Sequence, residues 1–221
     1  MKLLIKFPTR GRKNKFLQTL RKYQNFLSGQ IEVTFLVTLD EDDTEMNDQL
    51  VKEILSQYKN LVYHYGNSKT KVEAINADME KLTDWDIVLL ASDDMIPQIK
   101  GYDQIIVEQM KKNYPDTDGV LFFNDGFKQN QLNTLCILGK KYYERFNYIY
   151  NPEYKSVWCD NEFTEVANIL NKQTYIDQVI IKHEHPDWGY GKNDQIHLSN
   201  YKNVNQDKAT FDKNKMKNFG L

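Results

Sequence analysis

The chain has little of what staples, spans or stiffens a protein. Its 221 residues include two cysteines, Cys136 and Cys159, enough for one bond at most. Their spacing fits no metal motif, so both are expected as reduced thiols. Five prolines and ten glycines exclude collagen-like and linker-rich sequence. The longest apolar stretches, such as Ile87-Val88-Leu89-Leu90-Ala91, are too short to cross a bilayer. Met1–Ile5 runs straight into a strand-like segment, without the apolar region and cleavage site of a secretory leader, so a cytoplasmic location is expected. Neither charge sign dominates: the net charge is -2, which argues against a broad nucleic-acid surface. No repeat, heptad or low-complexity linker interrupts the chain.

What is present is a core. Hydrophobic residues make up 40% of the chain, and a compact domain of this mass buries roughly 70% of its extended surface. The first half alternates two periods. Lys2–Phe7 reads as a strand ending at Pro8, followed by a helical stripe of Phe16, Leu17, Leu20, Tyr23 and Leu27. Ile31–Leu39 is a second strand. Met46, Leu50, Ile54, Leu55 and Tyr58 mark the next helix, and Leu61–Tyr65 a short strand. Val72, Ile75, Met79 and Leu82 mark a third helix, and Asp86–Ala91 is the most apolar strand. Repeated βα units predict an α/β domain with a mostly parallel central sheet and helices on both faces.

Beyond Pro97 the expected elements are a helix through Tyr102, Ile105, Ile106 and Met110, strands over 119–124 and 135–138, and a helix over 162–170. Asp160 or Asn161 stands where it could cap that last helix. No polar hinge separates the halves, so residues 1–200 are read as one domain. Residues 201–221 are read as a polar tail or terminal helix.

Ligands of parallel α/β sheets bind beyond the carboxyl ends of the strands. That rule selects Pro8-Thr9-Arg10, Asp40 and Ser92-Asp93-Asp94. Two consecutive carboxylates after a buried strand suit Mg2+ or Mn2+ completed by a diphosphate; they also suit a solvated turn that caps the next segment. Asp40 can hold a ribose or base, whereas Asp42 and Asp43 read as a solvated turn and helix cap. Arg10, Arg12 and Lys13 fit either phosphate contacts or a solvent face. His64 reads as structural and His197 as solvent-facing. His183 and His185 alternate with Glu184, which places both rings on one side of an extended segment; they read equally as metal ligands or as the rim of a loop. Asp160 and Glu162 cannot share one helix face, so one role each is expected, a cap or a general base. No Gly-x-Gly-x-x-Gly or Gly-x-x-x-x-Gly-Lys loop occurs, against a dinucleotide oxidoreductase and a P-loop hydrolase.

The order of these features resembles GT-A fold glycosyltransferases, especially small family 2-like enzymes that use nucleotide sugars. The resemblance runs from Phe7-Pro8-Thr9-Arg10-Gly11-Arg12 through Asp40, Asn67-Ser68-Lys69, Ala74-Ile75-Asn76-Ala77 and Ser92-Asp93-Asp94-Met95-Ile96-Pro97. It ends with Trp158-Cys159-Asp160-Asn161-Glu162 and His183-Glu184-His185-Pro186. It implies a metal-dependent transferase that moves a sugar from a nucleoside-diphosphate donor, UDP-sugar favoured, to a hydroxyl of a glycan or other acceptor. Pro8, Thr9, Arg10, Asp40, Asn67, Lys69, Asn76, Ser92 and Asp93 would face the nucleotide. Asp94, with His183 or His185, would hold Mn2+ or Mg2+. Asp160 would be the base of an inverting reaction, with Glu162 its competitor. Tyr102, Phe122, Phe123, Phe127, Trp158, Trp188 and Tyr190 include candidate acceptor platforms. Two departures stand out: no acidic residue lies two positions before Asp94, and the Gln-x-x-Arg-Trp helix of processive synthases is missing. A sugar-phosphate nucleotidyltransferase and a non-catalytic nucleotide-sugar or glycan-binding module are the alternatives.

Overall fold

The computed structural model describes residues 1–185, 189 and 195–221. In chain order the first half gives β1 (Leu3–Pro8), α1 (Lys13–Asn25), β2 (Val33–Asp40), α2 (Gln49–Ser56), β3 (Leu61–Gly66), α3 (Lys71–Asn76), β4 (Ile87–Leu90) and β5 (Met95–Pro97). The second half gives α4 (Tyr102–Asn113), β6 (Val120–Phe123), β7 (Ile137–Gly139), α5 (Lys140–Tyr143), α6 (Cys159–Ile169), β8 (Gln173–Ile176), β9 (Ile181–His183), α7 (Gln195–Tyr201) and α8 (Val204–Met216). Seven strands form one sheet in the order β3-β2-β1-β4-β7-β6-β8, and β5 pairs with β9 in a small second sheet. All pairings from β3 to β4 are parallel. Strand β7 runs antiparallel to both β4 and β6, and β8 is parallel to β6.

Strand alternation divides the core in two. Leu3, Ile5 and Phe7 of β1 point to one face, with Phe16, Leu20 and Tyr23 of α1, Val51 and Leu55 of α2, and Tyr102, Ile106 and Met110 of α4. Leu4 points to the other, with Val72 and Ile75 of α3, Tyr142 of α5, Phe163 and Ala167 of α6, and Phe211 of α8. Burial of each such side chain contributes about 1.5–3 kcal/mol. Both cysteines lie in the second cluster as free thiols. No helix among the described residues is long and apolar enough to cross a membrane.

Several expectations shift. The third helix stops at Asn76, because Asp78 takes a left-handed conformation (φ 65°) before a single 3-10 turn at Met79–Lys81. Helix α2 begins only after Asp48, whose side chain caps it, so Met46 is a buried loop residue. Leu27 likewise lies beyond the end of α1. Asp160 and Asn161 do not cap α6. The cap position is Trp158, at φ 63°, with no side-chain hydrogen bond, and the helix starts at Cys159. Strands β5, β8 and β9 were not foreseen. Each has three or four residues, too few for alternation to be read.

Candidate functional site

Because β6 and β4 both run antiparallel to β7, strands β1, β2, β3, β4, β6 and β8 all end at the same edge of the sheet. The loop after β1 starts in register with β2, where the Thr9 amide donates to the Thr38 carbonyl at 3.0 Å. The Thr9 hydroxyl is buried and makes no hydrogen bond among the described residues. Gly11 turns the chain at φ 61°, a conformation that costs a residue with a Cβ, and its amide donates to Asp43 at 2.6 Å. Asp43 also accepts from the amides of Glu45 and Met46 and is buried. The expected solvated turn is therefore an internal brace at this residue, since three amide donors replace water.

Arg10 forks across two carboxylates. It reaches Asp40 at 2.8 Å and Asp42 at 2.6 and 3.0 Å. The other oxygen of Asp40 accepts from the Ser68 amide at 3.0 Å, which brings the loop after β3 to the end of β2. Asn67 donates to Glu41 at 3.2 Å beside it, and the cation of Lys69 lowers Asp42 after the larger effect of Arg10. Arg12 turns inward onto Asp93 at 2.8 Å, with Lys15 at 3.4 Å from the same oxygen. Lys13 pairs with Asp48 at 2.9 Å. None of the three basic residues is a plain solvent face. Asn76 stands apart from this group: its amide donates to the Tyr150 carbonyl at 2.7 Å and its oxygen accepts from the Ile149 and Tyr150 amides. It staples α3 to the second half of the chain.

At the end of β4 the two consecutive carboxylates diverge. Asp93 is buried against Arg12 and Lys15, and burial pushes its carboxyl up more than the cations pull it down. Asp94 is also buried, but the facing His183 and the Ser92 hydroxyl outweigh burial and hold it below the usual carboxylate range. Ser92 donates to one oxygen of Asp94. His183 Nε2 lies 3.7 Å from the other. The β5·β9 pairing explains this approach, since Met95 opposes His183 and the Glu184 amide donates to the Asp94 carbonyl at 2.7 Å. The rings of His183 and His185 meet edge to face at 5.6 Å. Among the described residues no three His, Cys, Asp or Glu side chains converge as a cage for a metal. Asp94 and His183 thus offer an open, two-ligand face.

Helix α6 supplies the second side. Its first turn carries Asp160 and Glu162, and the two have unlike surroundings. Glu162 is buried and accepts from Asn151 at 2.6 Å, Tyr154 at 2.6 Å and Asn214 at 3.1 Å. Asp160 is half-buried and accepts from the Asn161 amide at 3.0 Å. Thr164 donates to the Asp160 carbonyl at 2.7 Å and accepts from the Asn133 amide at 3.1 Å. Residues 133–136 run beside the end of β4, where the Leu90 amide donates to the Cys136 carbonyl at 2.9 Å. By that chain of contacts the Asp160 backbone is tied to the segment beside the end of β4. Of the aromatic candidates, Tyr102, Phe122 and Phe123 are core, whereas Phe127 is exposed. Trp158 is half-buried against Phe211, with ring centroids 5.2 Å apart. Pro186, Trp188, Tyr190 and the side chain of His197 lie outside the described residues.

No protein-family model and no curated protein matches this sequence. Solved structures do match. The mannosyltransferase PcManGT from Pyrobaculum calidifontis, in complex with GDP-Man and Mn2+, superposes with a TM-score of 0.68 at 13% identity, covering 86% of this chain and 58% of its own. Two structures of S. aureus TarS 1-349, both at 17% identity, follow. The complex with UDP-GlcNAc has a TM-score of 0.66 and covers 90% of this chain and 61% of its own. The complex with UDP gives 0.63, 82% and 60%. The chain has a GT-A-like fold. It spans about three fifths of the length of these structures. In the GT-A-like frame, Asp40 and Asp94 stand at the ends of strands that share one sheet edge although they lie far apart in sequence.

Sequence reasoning passed over four buried or part-buried charged residues, Lys6, Asp78, Asp125 and Asp207. Lys6, fully buried in β1, donates to Thr38 and to the Ala77 carbonyl, and Thr38 in turn donates to Asp78 at 2.6 Å. Burial lowers the Lys6 ammonium to about 8, against the opposing pull of Asp78. The signal was a lone lysine inside Leu4-Ile5-Lys6-Phe7. Asp125 accepts from three successive amides, Phe127 to Gln129, and from the Thr134 hydroxyl, while its carbonyl holds the His183 amide. Asp207 is the fourth, in α8.

Proposed function

We propose that the chain is a metal-dependent glycosyltransferase that moves a sugar from a nucleoside-diphosphate donor, UDP-sugar favoured, to an acceptor hydroxyl with inversion. The observation that carries this reading is that Asp40 and Asp94 stand at the ends of strands that stop at one edge of a GT-A-like sheet, with the Asp160 backbone tied through Thr164 and Asn133 to the segment beside the end of β4. Asp40, neutralised by Arg10, receives the nucleoside, and Arg10 and Lys69 offset the carboxylates of Asp40 and Asp42 near its phosphates. The unpartnered Thr9 hydroxyl at the floor of the β1 loop is free to bond the same ligand. Asp94, with His183 or with its neighbour His185, would hold Mn2+ or Mg2+, and that charge would neutralise the departing diphosphate. Ser92 fixes the Asp94 carboxylate for that task, while Asp93 serves by anchoring Arg12 and Lys15 beside it.

Asp160 takes the proton from the acceptor hydroxyl as its oxygen bonds to the anomeric carbon. The bond from that carbon to the diphosphate oxygen breaks on the opposite side, and its electron pair leaves with the nucleotide. Asp160 stands in the first turn of α6, where the free amides of a helix start favour negative charge. Glu162 has three protein donors of its own and works as a brace. The structures that resemble this chain were solved with GDP-Man, UDP and UDP-GlcNAc, and those ligands set the donors to try first. Incubation of the chain with a nucleotide-sugar panel and Mn2+ should release free nucleoside diphosphate from one donor class. Absence of release from every donor, together with calorimetry showing no Mn2+-dependent binding of UDP or GDP, would reject the reading.

A further inference from the structure

Helix α8 grips the segment that carries the proposed base from both sides. Asp207 is fully buried and accepts from three successive amides: Lys155 at 3.0 Å, Ser156 at 2.9 Å and Val157 at 3.0 Å. Those amides immediately precede Trp158, whose left-handed φ of 63° turns the chain into α6. One turn further along α8, Phe211 packs on Trp158 at 5.2 Å, with the Lys208 ammonium 5.0 Å over the same ring. A further turn on, Asn214 donates to Glu162 at 3.1 Å. Positions 207, 211 and 214 share one helix face, and they hold residues 155–158 and 162, which flank Asp160.

Resting on the transferase reading, we infer that Asp207 is a positioning residue for Asp160 and that α8 belongs to the transfer machinery. A carboxylate that collects three amides in a row sets where the strained turn at Trp158 lies, and so where the first turn of α6 points its carboxylate. Misplacement of a reacting group by about 1 Å can cost 10²-fold in rate. The proposed donor residues Arg10, Asp40, Lys69 and Asp94 share no hydrogen bond or ion pair with Asp207 among the described residues. Loss of Asp207 should therefore lower turnover and spare donor affinity.

The test uses the full chain with Asp207→Asn and Asp207→Ala, each alone and combined with Asp160→Asn. Readouts are nucleoside-diphosphate release at saturating donor from the panel member that the wild type turns over, calorimetric binding of the matching nucleoside diphosphate with Mn2+, and melting temperature. Asp207→Asn keeps an acceptor oxygen for part of the amide set and guards against an unfolded Asp207→Ala. The expected result is a fall in turnover of roughly 10–100-fold in Asp207→Ala and a smaller fall in Asp207→Asn, with nucleotide affinity within about twofold of wild type. In the Asp160→Asn background, Asp207→Asn should cost nothing more, because the group it positions is already disabled. Wild-type turnover in a folded Asp207→Asn chain, or an equal fold-loss in both backgrounds, overturns the inference while leaving the transferase reading standing. Normal turnover by Asp160→Asn itself removes the base assignment, and the positioning role falls with it.

Discussion

The two ends of the candidate site are built by different physics. On the nucleotide side, β1 to β4 are parallel neighbours, so ladder register alone sets Pro8 beside Thr38 and Lys6 beside Leu90. The functional side chains there are charged, and they neutralise one another in pairs: Arg10 with Asp40 and Asp42, Arg12 with Asp93. On the acceptor side no ladder reaches Asp160. Its place depends on buried carboxylates from distant segments, with Glu162 tying residues 151 and 154 to α8, and Asp207 tying α8 to residues 155–157. A strand-end site tolerates the loss of one pair, because the sheet still holds the backbone. A site hung on buried carboxylates does not, since each leaves unsatisfied donors behind when it is removed.

The sharpest break of this comparison is at Asp160. Asp160→Asn keeps the size of the side chain but cannot take a proton, and single-turnover transfer should fall by roughly 10²–10⁴-fold. Calorimetry with nucleoside diphosphate and Mn2+ should be unchanged in the same variant. Near-normal transfer there, with collapse in Glu162→Gln, would move the base to Glu162. Next in size is Asp94→Ala, which should weaken Mn2+-dependent nucleotide binding by more than the roughly 10–100-fold typical of losing an outer-shell partner, with melting temperature preserved. Equal affinity with and without Mn2+ in both proteins would remove Asp94 from the metal.

Glu162→Gln tests the acceptor side as a scaffold. The glutamine amide faces donors where the carboxylate accepted three hydrogen bonds, so stability should drop by about 1.5–3 kcal/mol while transfer by the folded fraction survives. Denaturant melts alongside single-turnover rates separate the two. The effect that is smallest at any one step of pH concerns Lys6 in β1. Its ammonium sits at about 8 in the folded chain and at the ordinary 10.5 when exposed. Between those values the unfolded chain binds the extra proton, so stability relative to Lys6→Met should rise with pH by about 1.4 kcal/mol per unit, and level off below about 8. A flat difference from pH 8 to 10.5 would show that Lys6 does not titrate in the folded core.

Much of the nucleotide side was legible because its signals are local. Strand alternation through Leu3–Phe7, Val33–Leu39 and Ile87–Leu90 reports two buried faces, and the strand-end rule then points at Asp40 and Asp94. The same locality explains the errors. Asp43 looked like surface because a run of acids usually is, and nothing within the run reveals that Gly11 would donate to it. Asp160 looked like a cap because it precedes an apolar stripe, whereas the turn at Trp158 starts the helix earlier. Asn76 matched a motif by position, yet its amide is spent on Ile149 and Tyr150.

The sequence by itself determined the α/β class, the two faces of the sheet and the chemical types of the site, because periodicity and residue chemistry are properties of neighbouring positions. Tertiary structure alone decided which donors surround each carboxylate. Asp93 and Asp94 are adjacent in the chain, but one closes on Arg12, just before α1, and the other faces His183 from β9. Asp160 and Glu162 are two residues apart, but only Glu162 meets Tyr154 and Asn214. A carboxylate brings the same charge to any position; its role follows from the donors that distant segments place around it, and those partners exist only once the sheet and α8 have closed.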